Sequence, residues 1–392
     1  MADFVALAKK YEKELIENRR WLHQHPEVGM DLPETMEFIR GKLIEMGYEP
    51  KSCLGQDLYV EIGSGRKKAS DGEPRCILYR ADVDALPIKE ESGLPYAAKG
   101  ENGHLCGHDI HGAVALTVAK MLMEHRDEID GIVKIVFQPG EEQSNGAERM
   151  VEQGIMKNPK VHASMAMHVR PNAENGQIRY AVGPAAAAID FFDVYFHGVT
   201  AHSSMPEKAK DPLLAAANTY QAFDGLVRRE ISAFNSAVLA VGILKAGTAP
   251  NSIPLDAEMH GTLRSYRNDD QKHLRDRMRE IVKAQAQMAQ VEGRIDFVWT
   301  PVIMNDAELC RQLSGSFAKV IGGENIVIEE KPVASSDDFA FFGMDVPAML
   351  FWYGVGSPEG HAIHHPQVVM KEDKLYLAAA AIATAITDWM NM

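Results

Sequence analysis

Apolar runs alternate with polar, chemically reactive clusters along most of this chain. The opening residues 1–27, MADFVALAKKYEKELIENRRWLHQHPE, read as an amphipathic helix, and Pro33 to Met46 as a second one stopped at Gly47. A short strand pair around Leu58 to Ile62 and the polar loop 64–75 follow. A pattern then recurs in which an apolar run ends in acids or imidazoles. CILYRADVD (76–84) ends in Asp82 and Asp84, GIVKIVFQPGEE (131–142) in Glu141 and Glu142, VHASMAMHV (161–169) at His168, and AMLFWYGVG (348–356) leads to His361, His364 and His365. Between the first two runs lies HDIHGAVALTVAKMLMEH, whose apolar spacing predicts a helix. Apolar strands alternating with helices predict an α/β domain with a mostly parallel sheet covered on both faces. In such sheets ligands gather beyond the carboxyl ends of the strands.

The middle of the chain is patterned differently. AIDFFDVYFHG alternates, a helix follows Pro212, SAVLAVGILKAG and AEMHGTLRSY read as half-exposed strands, and a helix of roughly Asp269 to Val291 precedes RIDFVWTPV. Strand, helix, strand, strand, helix, strand predicts an α+β ferredoxin-like domain inserted into the first. The expected boundaries are 1–185 with 299–392 for the first domain and 186–298 for the inserted one. Two domains also suit 392 residues, because single cores stop growing near ~250–300.

Charge and composition narrow the function classes. A formal net charge of -14 excludes a general binder of nucleic acid or anionic membrane, since both need a basic surface. The N-terminal segment carries Asp3 and charges from Lys9 onward, unlike a signal peptide, and the apolar run Leu375 to Ile386 falls short of the ~20 residues that span a bilayer. Four cysteines, Cys53, Cys76, Cys106 and Cys310, are too few for a disulfide scaffold. A soluble cytoplasmic protein is expected.

The chemistry concentrates on HLCGHDIHG (104–112). Cys106 and His108 lie two residues apart and can face one metal ion from the same side of an extended segment. By itself such a pair is more often a buried apolar thiol beside surface imidazoles. Four separate strands that each deliver an acid or imidazole to the same end of a sheet make a metal site the better reading. Adjacent Glu141 and Glu142 can divide the labour, one binding metal and the other acting as general base. Cys106, His108, Glu142, His168 and one C-terminal His are too many ligands for one tetrahedral zinc with an open position, and they suit two metals. HExxH, GxSxG, Walker A and GxGxxG motifs are all missing, and the H-x-E of His25 and Glu27 has no PCxxC after it. Metal-dependent hydrolysis remains.

The sequence resembles the M20 metallopeptidases, in the branch of N-acyl-amino-acid amidohydrolases, hippurate hydrolases and indole-acetyl-amino-acid hydrolases. RRWLHQHPEVGMDLPET, LYRADVDALPI, CGHDIH, VFQPGEEQSNGA, MHVRP, GVTAHSSMPEKAKDP, APNSIP, SSDDFAFF and HHP carry the resemblance, in this order, over nearly the whole chain. It implies that 1–185 with 299–392 form a catalytic metal-binding domain and 186–298 a lid and dimerisation domain, and it implies two divalent metal ions (zinc, or manganese or cobalt) on Cys106, His108, Glu142, His168 and His364, with Glu141 as general base. The last ligand is the His two residues before Pro in the family's H-x-P; here x is His365, which leaves two imidazoles as candidates. Asp337 stands where the branch often has Glu, and Gly140 where it often has Ala. The resemblance also makes His202 an oxyanion stabiliser, sometimes reaching across a dimer, and Asn251 a substrate contact, with Asp82 and Asp84 in supporting roles. Arg264 is a candidate partner for a substrate carboxylate. His111 is expected to support the site without binding metal, His104 and His361 have no assigned role, and the remaining histidines are expected to be solvated.

The expected function is hydrolysis of the amide bond of N-acyl amino acids or small peptide-like amides by a homodimer or higher homo-oligomer formed through the lid, with no nucleic-acid or membrane partner. The alternatives are a dipeptidase or aminopeptidase of the same superfamily and, from another class, a metal-binding regulatory protein without turnover.

Overall fold

The structure is a computed structural model that describes residues 3–143 and 146–392. Met1 and Ala2 of the opening segment, and Ser144 and Asn145 of VFQPGEEQSNGA, lie outside the described residues. The chain divides into two compact units. One comprises Met1–Ala185, Met304–Pro332 and Asp337–Met392, and the other Ala186–Ile303 with Val333–Ser336.

The first unit is built on a mixed sheet. Its central strands are β1 (Leu58–Ile62), β2 (Cys76–Asp82), β3 (Ile132–Gln138), β4 (Ala163–Glu174) and the strand Ala348–Gly356, in the spatial order β1, β3, β2, β4, 348–356. β2 runs parallel to both β3 and β4, and 348–356 runs parallel to β4, whereas β1 lies antiparallel on β3. Every residue of β2 and of 348–356 is buried, as expected for a sheet covered on both faces.

Four helices can be named in chain order: α1 (Phe4–Lys10), α2 (Glu12–Gln24), α3 (Pro33–Glu45) and α4 (His108–Glu124). α4 is buried from His108 through Ala119, which is why its sequence is apolar nearly all round. It packs against β2, α2 and the C-terminal helix Leu375–Asn391.

Three local expectations are corrected. The N-terminal segment forms two helices rather than one, meeting at Tyr11, whose hydroxyl donates to Glu124 on α4. That contact is tertiary, so periodicity does not register it. Leu58–Ile62 is one strand that pairs along its length with the distant β3, and its local pairing is reduced to an antiparallel bridge between Lys51 and Tyr59. β4 continues past His168 to Glu174, which places His168 inside the strand rather than at its end.

The second unit has strands Ala188–His197, Ala237–Ala246, Asp256–Ser265 and Glu292–Thr300, with helices Pro212–Glu230 and Asn268–Ala289 between them. The strands form one antiparallel sheet in the order 292–300, 188–197, 256–265, 237–246. Phe192, Val194, Phe196, Met259 and Leu263 face the helices and share a core with Phe223, Leu274 and Met278. Their neighbours in sequence, including Phe191, Asp193 and Tyr195, point to the opposite face.

Candidate metal centre and active site

The Cys-Gly-His turn delivers two donors to one place. Gly107 caps α4 in the left-handed region at φ +95°, and a Cβ there would stand 2.2 Å from Val169 Cγ2. Only glycine lets the chain reverse this closely against β4 and still present Cys106 and His108 together. Cys106 Sγ lies 3.4 Å from His168 Nε2. Donor atoms of Cys106, His108 and His168 fall within 4.8 Å of one another, as do those of Cys106, Glu142 and His364, and those of His108, Glu141 and Glu142. The three triads share members, so all six side chains surround one small volume.

The protonation pattern favours ligand duty. His108 Nδ1 donates to the Asp84 carbonyl at 2.9 Å and His168 Nδ1 to the Val169 carbonyl at 2.7 Å. Each ring therefore keeps its proton on Nδ1 and turns Nε2 toward the cluster. His108 Nε2 and Glu142 Oε1 are buried without a hydrogen-bond partner among the described residues. Two orphaned groups of this kind, with a thiol beside them, fit a bound cation. His111 differs: its Nδ1 donates to Asp82 Oδ1 at 2.5 Å, and its Nε2 accepts the Val169 N–H at 2.9 Å. Both nitrogens are committed, so no lone pair is left for a metal.

Of the two C-terminal imidazoles, His364 enters the cluster. Its Nε2 is 3.4 Å from Glu142 Oε1 and its N–H donates to the Leu105 carbonyl at 2.9 Å, with the backbone at φ +67°. His365 stacks on His361 with ring centroids 3.9 Å apart.

Asp84 organises the Glu141-Glu142 turn. Its two carboxylate oxygens accept the N–H groups of Glu141 and Glu142, each at 3.2 Å. Asp82 holds His111 and pairs with Arg80 at 2.8 Å. Arg80 also meets Asp337 at 3.0 Å and Asp338 at 2.8 Å, while Gln138 bridges Arg80 and Asp338. Sequence reasoning gave no role to Arg80, Gln138 or Asp338. The available signal was an arginine in the middle of the apolar run CILYRADVD, since a charge in a fully buried strand needs partners.

This packing sets the electrostatics. Burial, together with the carboxylates of Asp337, Glu142 and Asp338, raises the Glu141 pKa well above the usual range. Burial also raises Asp338, to about 7, with Arg80 opposing. Glu142 goes the other way, because His364 and His108 outweigh its burial. Burial and the Glu142 carboxylate push the Cys106 thiol up. His168 is lowered to about 4 by burial and by neighbouring His111, so it stays neutral and able to ligate.

The remaining candidates lie in the second unit. His202 sits on the short strand Ala201–His202, which pairs with Ser252–Ile253, and the Ser203 N–H donates to the Asn251 carbonyl at 3.0 Å. His202 and Asn251 are thus brought together. His202 Nδ1 accepts the Ser204 N–H at 3.2 Å, which in the neutral ring leaves the proton on Nε2. Arg264 lies on Asp256–Ser265 opposite Ile189 and Val238, and its Nη1 is buried without a hydrogen-bond partner among the described residues. His104 and His23, expected to be unassigned and solvated respectively, are both buried, at 2% and 3% exposure.

Comparison with known proteins identifies the family. N-acetylcysteine deacetylase of Bacillus subtilis is 32% identical over 381 residues, covering 96% of each chain. An IAA-amino acid hydrolase of Arabidopsis thaliana is 30% identical over 401 residues, covering 99% of this chain and 88% of the relative. The crystal structure of a dinuclear metal-binding peptidase of the M20 family from Bacillus subtilis superposes with a TM-score of 0.79 at 28% identity, over 98% of this chain and 99% of that one. A profile of Peptidase family M20/M25/M40 matches residues 78–388. The chain belongs to that family.

Proposed function

We propose that the protein hydrolyses the amide bond of N-acyl amino acids, releasing a carboxylic acid and the free amino acid, with two divalent metal ions held by Cys106, His108, Glu142, His168 and His364. The observation that carries this reading is the convergence of five metal-donor side chains on one volume, with a sixth side chain, the carboxylate Glu141, beside them. Relatives named for deacetylation of N-acetylcysteine and for hydrolysis of IAA-amino acids support the substrate class. When bound, the metals supply Lewis acidity toward a carbonyl oxygen and lower the pKa of water. The mixed thiolate, imidazole and carboxylate donors suit zinc, manganese or cobalt.

Glu141 is the general base. It removes the proton of the attacking water and passes it to the departing amine. Burial and the surrounding acids raise its pKa, which favours holding the proton between the two transfers. His202 offers its Nε2–H to the oxyanion, Asn251 contacts the substrate, and the guanidinium of Arg264, whose Nη1 is unpartnered among the described residues, takes the substrate carboxylate. In this reading residues 186–298 act as a lid on a catalytic domain of 1–185 and 299–392. The outer strand Ala237–Ala246 has an open edge and exposes Val238, Ile243 and Leu244, which supports association of two copies through the lid. No helix among the described residues is long and apolar enough to cross a membrane, and none of the four cysteines forms a disulfide, which supports a reducing, cytoplasmic setting.

The deciding experiment is a hydrolysis screen over N-acyl amino acids, varied independently in acyl group and amino acid, with metal-reconstituted protein. Turnover confined to acylated substrates is expected. Preference for peptides with a free amine would replace this reading with a dipeptidase, and metal binding without turnover would replace it with a regulatory role.

A further inference from the structure

His23 lies outside the candidate centre, yet both of its ring nitrogens are engaged by buried acids. Nδ1 is 2.8 Å from Asp109 Oδ2 and Nε2 is 3.1 Å from Glu90 Oε1. Carboxylates only accept, so both nitrogens carry protons and the ring is an imidazolium. The surrounding charges are consistent with this. Burial disfavours charge on His23, but Asp109 and Glu90 outweigh it and raise its pKa. Arg19 Nε lies 2.8 Å from Asp109 Oδ2, Tyr96 meets the His23 ring edge-on at 5.5 Å, and His104 also stands near Asp109.

The two carboxylates lead to different parts of the centre. Asp109 follows His108 in the first turn of α4. Glu90 belongs to the long loop between β2 and α4, where it also accepts from Ser92 and from the Ala98 N–H at 2.8 Å. The next residue, Glu91, donates its N–H to the Pro366 carbonyl at 2.7 Å, two residues beyond His364. Arg19 makes a parallel tie, from Asp109 to Glu372 at 3.2 Å. A residue near the start of the chain thus links the helix that presents His108 to the segment that presents His364.

We propose that His23 is a positioning residue whose doubly bonded imidazolium fixes the His108 arm and the His364 arm of the centre at their working separation. The proposal rests on the two-metal reading above. Outer groups that orient metal ligands typically change affinity about 10–100-fold when removed. Loss of His23 should therefore loosen the metal that depends on His364 while leaving substrate recognition alone. A glutamine in its place can donate to one acid only and turns an oxygen toward the other.

The test uses the full-length protein loaded with cobalt(II), with metal content and chelator competition read alongside kcat and KM. In wild type two metals per chain are expected. His23→Gln and Glu90→Ala should each weaken one metal about 10–100-fold, lower kcat and leave KM unchanged. Because both act through one linkage, the double variant should be no worse than either single variant. Wild-type metal affinity in both variants, losses that add in the double variant, or a lower melting temperature with metal affinity unchanged would each overturn the proposal. If His23→Gln does not fold, Glu90→Ala decides alone, and unchanged affinity there overturns it. A wild-type protein that takes up no metal defeats the two-metal reading itself, and this inference with it.

Discussion

In the first unit Arg19, Arg80, Asp82, Asp109 and Asp338 are essentially inaccessible to solvent, and each meets at least one opposite charge. Among the described residues of the second unit Asp190 is the one buried charged residue; its partners are Gln271 at 2.9 Å and Arg275 at 3.4 Å. Other ion pairs there are exposed or half-exposed, such as His197 with Asp256, Lys245 with Glu258 and Arg294 with Asp296. Burying ions is costly even when they are paired, and exposed pairs are worth little. The first unit therefore carries a polar interior that hydrophobic packing must offset, and that interior surrounds the candidate centre. The second unit resembles an ordinary two-layer domain. Buried charge is concentrated around the candidate centre and is limited, among the described residues of the second unit, to Asp190.

The sharpest break of that comparison is Glu141→Gln. It should lower kcat by about a hundred- to ten-thousand-fold while metal content stays at two, because it removes the proton carrier and no ligand. Near wild-type turnover would end the assignment. Arg80→Met comes next and should cost about 3–5 kcal/mol in chemical denaturation, since it strands Asp82, Asp337 and Asp338 as buried acids without their counter-ion. A loss below about 1 kcal/mol would mean that these carboxyls are already protonated in the wild type.

His202→Ala tests the second unit, with an expected loss of about a hundred- to a thousand-fold in kcat and no change in metal content. Removing the metals should act on the first unit alone. Cys106 should resist alkylation in the loaded protein and react after chelation, and inertness in both states would argue against its ligand role.

The smallest effect is a pH dependence in the second unit. Burial raises the Asp190 carboxyl to about 6, against the opposing influence of Gln271 and Arg275. Between its ordinary value near 3.8 and about 6 the folded chain holds a proton that the unfolded chain has released, so stability falls as pH rises through that window. Asp190→Asn should raise stability at pH 7.5 by about 1–2 kcal/mol, and the gain should vanish near pH 4. An equal gain at both pH values would show that the charge is not responsible.

Much of the architecture was legible because it follows from period and punctuation. The run 76–84 reads as a buried strand, Pro212 opens a helix that Asp211 caps through the N–H groups of Leu213 and Leu214, and 188–197 alternates between a packed and an open face. The cluster of donors was legible for a different reason: acids and imidazoles follow apolar strands that a parallel sheet brings to one side. What the pattern could not give was pairing across distance. Nothing local says that Tyr11 meets Glu124, that Arg80 gathers Asp337 and Asp338, or that His23 sits between Asp109 and Glu90. Nor could it separate His364 from His365, neighbours of the same type that differ by which one takes the left-handed backbone.

That backbone has a consequence for engineering. A histidine at φ +67° occupies a region that glycine and asparagine enter far more readily, at a cost on the order of 1–3 kcal/mol. His364→Gly should therefore melt higher in metal-free form and bind metal worse when loaded. A selection for heat resistance alone would favour discarding this side chain, so a stabilised library of this protein should be screened for turnover from its first round.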